Sequence, residues 1–124
     1  MKSMKSIHIE DIYDDSNLQQ NEAMNVLKSC KSLQEVTIRN CWYVEDLLVQ
    51  SMKSNSRIQR LKIQNSSRMS IKLFENFEMW QGLKTLELID LDIKEDVLLE
   101  FAKIKSLKSL KMQKCRYILL PVCK

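Results

Sequence analysis

A spacing of apolar residues that recurs five times constrains the fold of this chain more than any other feature. In the stretch from Leu83 to Leu91, apolar side chains occupy the first, fourth, sixth and ninth places. Stretches that begin at residues 4, 33, 58 and 107 follow the same spacing, with Ser66 in the ninth place of one, and the five starts lie 29, 25, 25 and 24 residues apart. A period of this length is typical of repeat proteins, in which each unit buries its apolar face against its neighbours.

Alternation within each unit predicts a β-strand, because the fourth and sixth places point to one side of a sheet and the fifth and seventh to the other. The segments between units predict helices, because apolar residues stand six, nine and ten places before each following unit, on one helical face. Such connections between like-oriented strands imply right-handed crossovers and a parallel sheet. The apolar residues of the four connections are Leu27, Met24 and Ala23; Met52, Val49 and Leu48; Phe77, Phe74 and Leu73; and Phe101, Leu98 and Val97.

The predicted architecture is a single α/β domain over residues 1–124, a short curved solenoid of about five strand-helix repeats. Helices are wider than the spacing of strands, so the parallel sheet should line the concave face and the helices the convex face. Residues 117–124 carry the only proline and are predicted to form a C-terminal cap. The first strand has no comparable cover, which leaves open a self-contained monomer, an absent partner or a longer repeat array.

Residues 33–41 and 107–115, with the sequences LQEVTIRNC and LKSLKMQKC, resemble the leucine-rich repeat superfamily in its intracellular, cysteine-containing, ribonuclease-inhibitor-like form. The resemblance implies a ninth-place side chain that bonds to backbone at the turn out of the strand. Only Cys41, Ser66 and Cys115 among the five ninth places can make such a bond. Residues 41–46 also resemble repeats of F-box substrate receptors and of small mitochondrial assembly factors, which implies two alternative functions: substrate recognition in a ubiquitin ligase, or mitochondrial assembly.

The sequence offers few of the residues from which active sites and metal centres are built. His8 is the only histidine and is predicted to be an exposed strand residue, so no zinc cluster or Cys/His nucleophile pair is expected. Acidic pairs such as Glu45 and Asp46 stand where helices should begin, where they would offset the helix dipole. We therefore expect a protein that is not an enzyme and that uses no metal and no cofactor.

Composition and the N-terminus bear on where the protein acts. Hydrophobic residues make up 44% of the chain and charged residues 29%, as in folded soluble proteins, and no apolar run approaches the roughly 18 residues of a membrane helix. Charge interrupts the first apolar residues before a secretory core could form, so the four cysteines are expected to be reduced thiols. We expect an intracellular, cytoplasmic protein that does not enter a membrane.

Strand alternation also predicts which side chains stay outside the core, and these are the candidates for binding. Arg39, Arg60 and Lys62 are expected to adjoin across neighbouring strands, and adjacent like charges destabilise a sheet unless something neutralises them. We predict that this surface contacts an acidic side chain or terminus of a protein partner, with a salt-bridged surface without ligand as the alternative. The candidate partner-binding residues are Glu35, Arg39, Arg60, Lys62, Glu87, Ile89 and Lys111.

A basic block at the C-terminal end supports a second functional class. Between Lys103 and Lys124 the chain carries seven basic residues and no acidic one, although the net charge of the whole chain is only +4. Such a block could bind nucleic acid or a ribonucleoprotein, but it offers few aromatic side chains for stacking. Basic helix ends and acidic helix starts explain the same asymmetry without a ligand. We favour a protein-interaction scaffold, alone or as one subunit of a larger assembly, over the nucleic-acid alternative.

Overall fold

A computed structural model describes residues 4–13, 18–55, 57–67, 69–74 and 80–118 of the chain. Each of the five predicted units contributes one strand to a common sheet. In chain order the elements are β1 (Ser6–Ile12), α1 (Leu18–Ser29), β2 (Glu35–Cys41), α2 (Val44–Ser54), β3 (Arg60–Gln64), a 3-10 helix (Ile71–Phe74), β4 (Thr85–Ile89), β5 (Asp92–Lys94), α3 (Glu95–Ala102), β6 (Ser109–Gln113) and β7 (Arg116–Ile118).

Strands β1, β2, β3, β4 and β6 lie side by side in that order and form one parallel sheet. The fourth place of each unit pairs with the fourth place of the next, and the sixth with the sixth, so the apolar spacing becomes two continuous rows. In β2, β3 and β4 the side chains of these rows are at most 3% exposed. The predicted parallel sheet is therefore confirmed. Its two apolar rows are Ile7, Val36, Leu61, Leu86 and Leu110, and Ile9, Ile38, Ile63, Leu88 and Met112.

The start of each strand is held by one backbone carbonyl that accepts two hydrogen bonds. The Lys5 carbonyl oxygen accepts from the N–H groups of Gln34 and Glu35, at 2.7 and 3.0 Å. The carbonyl oxygens of Gln34, Gln59 and Lys84 receive the same pair of bonds from the next strand in each case. Every step from one strand to the next therefore begins with the same backbone geometry.

The end of each strand is marked by a residue with positive φ in the eighth place of its unit. Asparagine and aspartate tolerate this left-handed conformation better than other non-glycine residues, and they fill four of the five places. The Asn65 amide donates to Asn40 Oδ1 at 2.6 Å, and the Asn40 amide donates to Asp11 Oδ1 at 3.0 Å. The five φ angles are 63° at Asp11, 56° at Asn40, 46° at Asn65, 54° at Asp90 and 54° at Lys114.

The ninth places follow directly, and their polar members bond to backbone. Cys41 Sγ donates to the Arg39 carbonyl oxygen at 3.4 Å, Ser66 Oγ to that of Gln64 at 2.9 Å and Cys115 Sγ to that of Gln113 at 3.5 Å. These are the three bonds that the resemblance implied. At the other two ninth places, Ile12 and Leu91 are buried, and their carbonyl oxygens accept the N–H groups of Trp42 and Arg116 at 2.9 Å.

The three α-helices lie in three of the four connections between strands of the sheet. The helical spacing correctly predicted that α2 buries Leu48 and Met52 and that α3 buries Val97 and Phe101. The third predicted column, Val49 and Leu98, is only partly buried, and α2 also buries Val44 and Leu47, which were not predicted. Glu45 and Asp46 occupy the first turn of α2, which confirms the predicted acidic helix start.

In its described residues, the connection between β3 and β4 differs from the prediction of a full helix. Its described residues form only the 3-10 helix, while residues 75–79, with Phe77 among them, lie outside the described ranges. The aromatic side chains of this connection pack against α3: the Phe74 ring lies 5.1 Å from that of Trp80 and 4.9 Å from that of Phe101. Trp80 is 1% exposed, and its indole N–H donates to the Leu73 carbonyl oxygen at 3.1 Å. This aromatic cluster closes the core beside α3.

A second, two-stranded parallel sheet joins β5 to β7 and was not predicted from the sequence. Arg116 pairs with Asp92 in its register, and Arg116 Nε donates to Asp92 Oδ1 at 2.6 Å. Of the predicted cap over residues 117–124, the structure describes only 117 and 118, which belong to β7. The other six residues of that prediction lie outside the described ranges.

Cys30, Cys41 and Cys115 are free cysteines. Burial raises the pKa of the Cys41 thiol above its ordinary value. None of the helices in the described part of the chain is long and apolar enough to cross a membrane.

Candidate functional site

The third, fifth and seventh places of each unit form the surface of the sheet that faces away from the apolar rows, and we call it the exposed face. None of its side chains is fully buried. All seven residues proposed as partner-binding lie on this face, half-buried or exposed. The exposed face consists of Ser6, His8 and Glu10; Glu35, Thr37 and Arg39; Arg60, Lys62 and Gln64; Thr85, Glu87 and Ile89; and Ser109, Lys111 and Gln113.

Both arginines of the exposed face have an acidic partner on the neighbouring strand. Arg60 Nη1 lies 2.6 Å from Glu35 Oε2, and Arg39 Nη1 lies 3.2 Å from Glu10 Oε1. The pairing register places each of these acids directly beside its arginine. Glu10 was not among the candidate residues, although its seventh place beside Arg39 could have indicated the pair.

This register corrects one step of the sequence reasoning. Arg39, Arg60 and Lys62 were expected to adjoin across neighbouring strands, and that expectation is wrong. Arg39 lies beside Gln64, and Lys62 lies between Thr37 and Glu87, so no two of the three cations are directly opposite each other. Repulsion between adjacent cations therefore gives no reason for a ligand here.

The units that contain β3, β4 and β6 carry charged residues in their fifth places, and the positive charges of this row exceed the negative ones. Lys62 and Lys111 flank the single carboxylate of Glu87 in the register. Among the described residues, neither lysine comes within 4.0 Å of an acidic oxygen. This row therefore carries one more positive charge than negative, and both ammonium groups are available to an incoming anion.

A shallow groove of about 260 Å³ lies over the middle of the exposed face. Its polar lining comes from three neighbouring strands and includes charged, hydroxyl and carboxylate groups. A depression this open suits a protruding side chain or loop better than an enclosed small molecule. It is lined by Glu35, Val36, Thr37, Arg60, Leu61, Lys62, Thr85 and Glu87.

Exposed aromatic residues lie beside the carboxyl ends of β1 and β2. Trp42 is 54% exposed and Tyr13 is 53% exposed, and their ring centroids are 6.2 Å apart. The Tyr13 hydroxyl donates to Asp11 Oδ1 at 3.3 Å. Partial desolvation and the negative charge of Asp11 raise the pKa of Tyr13. The two exposed rings therefore add an apolar surface beside the carboxyl ends of β1 and β2.

In the described part of the basic block, two of the cations are engaged in ion pairs. Lys103 pairs with Glu100 at 3.0 Å and Arg116 with Asp92 at 2.6 Å, and the bond to Asp92 raises the pKa of Arg116. Lys108 precedes β6 and Lys114 follows it, which separates them by roughly 17 to 20 Å of extended strand. Lys124 lies outside the described ranges.

His8 is an exposed strand residue, as predicted, with its side chain 57% exposed and Nε2 3.2 Å from Glu10 Oε1. Within the described residues, no three His, Cys, Asp or Glu side chains are grouped so that they could hold a metal ion. Comparisons with protein-family models, with curated proteins and with solved structures found no match. The argument for function therefore depends on the geometry of the exposed face.

Proposed function

We propose that this chain is a non-catalytic, intracellular scaffold of the leucine-rich repeat type, which binds a protein partner through the exposed face. The repeat assignment is supported by features that recur at fixed places of every unit. These are the shared carbonyl at each strand start, the positive φ in each eighth place and the backbone-bonded or buried side chain in each ninth place. In this proposal the units form a short curved solenoid with the exposed face on its concave side.

The row of Lys62, Glu87 and Lys111 carries the functional proposal. Two lysines share one carboxylate, so an acidic side chain or terminus from a partner completes the charge balance of the row. Ile89 stands half-buried two places after Glu87 and offers an apolar contact beside the charges. A partner that bears a carboxylate next to an apolar side chain fits this arrangement.

The same face limits how the partner binds. Its side chains project from paired strands, so little backbone entropy is lost when a partner docks. Arg39 and Arg60 are already engaged by Glu10 and Glu35, and a partner that recruited them would have to displace an existing ion pair. The two lysines are therefore expected to contribute more to affinity than the two arginines.

An affinity purification with matched bait variants tests this proposal. The wild-type chain, a Lys62→Glu/Lys111→Glu variant and a Lys72→Glu control are each incubated with extract of the native cell, and retained proteins are quantified by mass spectrometry. Lys72 is an exposed lysine of the 3-10 helix and lies outside the exposed face. We expect at least one protein that the wild type and the control retain equally and that the double variant loses.

Equal retention of every protein by all three baits would contradict the proposal. Circular dichroism of each bait establishes that a loss of binding is not a loss of fold. A retained species that is nucleic acid, and that is released steeply as salt rises, would instead support the alternative based on the basic block.

A further inference from the structure

A second groove, of about 300 Å³, lies beside the amino ends of β1, β2 and β3, outside the exposed face. Three cations line it, and each comes from the segment before a different strand: Lys5 before β1, Lys31 before β2 and Arg57 before β3. None of the residues that line it is acidic. We call it the amino-edge groove, and it is lined by Lys5, Lys31, Ser32, Gln34, Ser54 and Arg57.

Hydrogen bonds fix the backbone beneath the amino-edge groove. Asn55 is 2% exposed, and its Oδ1 accepts the N–H of Leu33 at 2.9 Å while its amide donates to the Ser51 carbonyl oxygen at 3.2 Å. This side chain joins the end of α2 to the segment before β2. The Lys5 carbonyl oxygen accepts the N–H of Gln34 at 2.7 Å, which holds the start of β1 beside the same segment. The three cations therefore stand on backbone that is positioned before any ligand binds, which lowers the cost of binding.

The three cations of the amino-edge groove lack acidic partners within the described part of the chain, where none comes within 4.0 Å of an acidic oxygen. Lys28 and Lys53 occupy the last turns of α1 and α2, where they offset the helix dipoles. Lys5, Lys31 and Arg57 lie outside the helices. Like charges around one groove repel each other, so an anion bound among them is stabilised.

Neutral donors of the amino-edge groove narrow the chemistry of that anion. Ser54 Oγ accepts the Gln50 amide at 2.9 Å, which leaves the Ser54 O–H to donate. The Ser32 hydroxyl and the Gln34 amide supply further donors. A phosphate monoester carries nearly two negative charges near pH 7 and three strong acceptor oxygens. Three cations together with hydroxyl and amide donors fit this group better than a carboxylate, which has one charge and two oxygens.

A smaller depression, of about 110 Å³, connects the amino-edge groove to the exposed face. Gln34 lines both the amino-edge groove and this depression. Glu35 and Arg60 line both the depression and the groove over the exposed face. A chain segment bound on the exposed face therefore has a continuous path to the three cations.

We propose that the amino-edge groove binds the phosphate group of a phosphorylated serine or threonine in a protein partner. The groove itself indicates the phosphate, whereas a protein as its source rests on the proposed function. Nucleic acids and membranes also carry phosphate, but the residues that line the groove include no aromatic side chain to stack on a base and no apolar side chain to enter a bilayer.

Nuclear magnetic resonance titration of the isotope-labelled chain tests whether the groove binds phosphate. The probe is phosphoserine with blocked termini, and blocked serine is the comparison. We expect saturable shifts of the backbone N–H signals of Lys31, Ser32, Gln34 and Arg57 with the first probe alone. Binding should weaken at about pH 5, where a phosphate monoester has lost nearly one of its two charges. The groove lining contains no histidine, aspartate or glutamate, so this weakening reports the charge of the probe.

Two double variants locate the site. Lys31→Gln/Arg57→Gln should weaken phosphoserine binding by about tenfold or more. Lys72→Gln/Lys108→Gln removes the same charge from exposed positions outside the groove and should bind as the wild type does. Circular dichroism of both variants separates a loss of binding from a loss of fold. Absence of saturable shifts in the wild type, or equal affinities of the two folded double variants, would overturn the proposal.

Three larger probes test the source of the phosphate. They are a peptide pool with a central phosphoserine between randomised positions, single-stranded RNA of randomised sequence, and phosphatidylcholine vesicles that contain a phosphorylated inositol lipid. The phosphopeptide pool should bind about tenfold more tightly than the same pool without phosphate, and more tightly than the RNA or the vesicles. Tighter binding of RNA or vesicles, or equal binding of the two peptide pools, would overturn the proposal.

Failure of this proposal and failure of the proposed function are distinguishable. The Lys62→Glu/Lys111→Glu variant changes the exposed face and leaves the residues of the amino-edge groove intact. It should therefore bind blocked phosphoserine as the wild type does. A loss of phosphoserine binding in this folded variant would show that the probe occupies the exposed face, and would overturn the assignment to the amino-edge groove.

Discussion

Replacing Phe101 with alanine probes the part of the core that joins α3 to the connection before β4. The Phe101 side chain is fully buried, its ring lies 4.9 Å from that of Phe74, and it lies 5.7 Å from that of Trp80. Both contacts are edge-to-face, the arrangement that aromatic rings prefer. The substitution leaves a cavity between α3 and the aromatic side chains of the connection between β3 and β4.

The expected loss in the free energy of unfolding is about 3 to 5 kcal/mol, the usual range for Phe→Ala in a core. Each lost aromatic contact is worth about 0.5 to 1.5 kcal/mol beyond its buried area, so the loss at Phe101 should lie towards the upper end of the usual range for Phe→Ala. Because small domains have total stabilities of about 5 to 15 kcal/mol, the variant should lose a large fraction of its stability.

Urea unfolding followed by circular dichroism and by tryptophan fluorescence measures this loss. Leu99→Ala is the matched control, since Leu99 lies on the same helix and is 56% exposed. Its cost should be about 0.5 kcal/mol or less, as for most exposed sites. A Phe101→Ala cost below about 1.5 kcal/mol, or one equal to that of Leu99→Ala, would refute the reasoning from burial and ring contacts.

Three further predictions concern the strand ends and the exposed face. Asn40→Ala should cost about 1 to 3 kcal/mol in urea unfolding, because it removes two side-chain hydrogen bonds and strains a residue with positive φ. Asn40→Gly should cost less, since glycine adopts that φ freely, and equal costs would show that backbone strain is unimportant there. The pKa of the Cys41 thiol is raised in the folded chain, so the thiol of the unfolded chain ionises at a lower pH. The contribution of this thiol to stability is therefore present below about pH 9 and declines as pH rises above that. The decline in the free energy of unfolding should be shallower in Cys41→Ala, and an unchanged slope would exclude this source. Arg60→Ala should cost at most about 1 kcal/mol, because its ion pair with Glu35 is exposed to solvent, and a double-mutant cycle with Glu35→Ala that gives a larger coupling would contradict this.

The sheet could be predicted from the sequence because its signal is local and repeated. A strand with one buried face must alternate apolar and polar residues, and a slip of one residue would turn every side chain to the wrong face. Leu86 and Leu88 therefore identify both the strand and its register with the neighbours. Helical spacing located α1, α2 and α3 for the same reason.

The strand ends were harder to predict because the decisive property is a backbone angle. Asp11, Asn40, Asn65 and Asp90 stand in the same place of four units, and this column of short polar side chains was the available signal. Lys114 breaks the column, yet its φ is 54°, so position in the unit determines the angle there and residue type does not. In the described part of the chain a single pair of units forms the β5 and β7 pairing, so no repeated pattern in the sequence predicts it.

The candidate residues on the exposed face were placed correctly by alternation, but their charge pairing was not. Alternation fixes which side of a sheet a residue faces, whereas ion pairs depend on which residue of the next strand lies opposite. Glu10 compensates Arg39 across 29 residues of sequence, a relation that appears only once the register is known. The functional readings drawn from resemblance, in a ubiquitin ligase or in mitochondrial assembly, stay predictions.

Calorimetric titration of the partner identified by affinity purification tests the central claim most directly. The account predicts that Lys62→Glu and Lys111→Glu each weaken the affinity by about tenfold or more, because each replaces an uncompensated cation beside Glu87 with a second anion. The Lys72→Glu control should bind as the wild type does. Wild-type affinity in both face variants would contradict the claim that the exposed face is the binding surface.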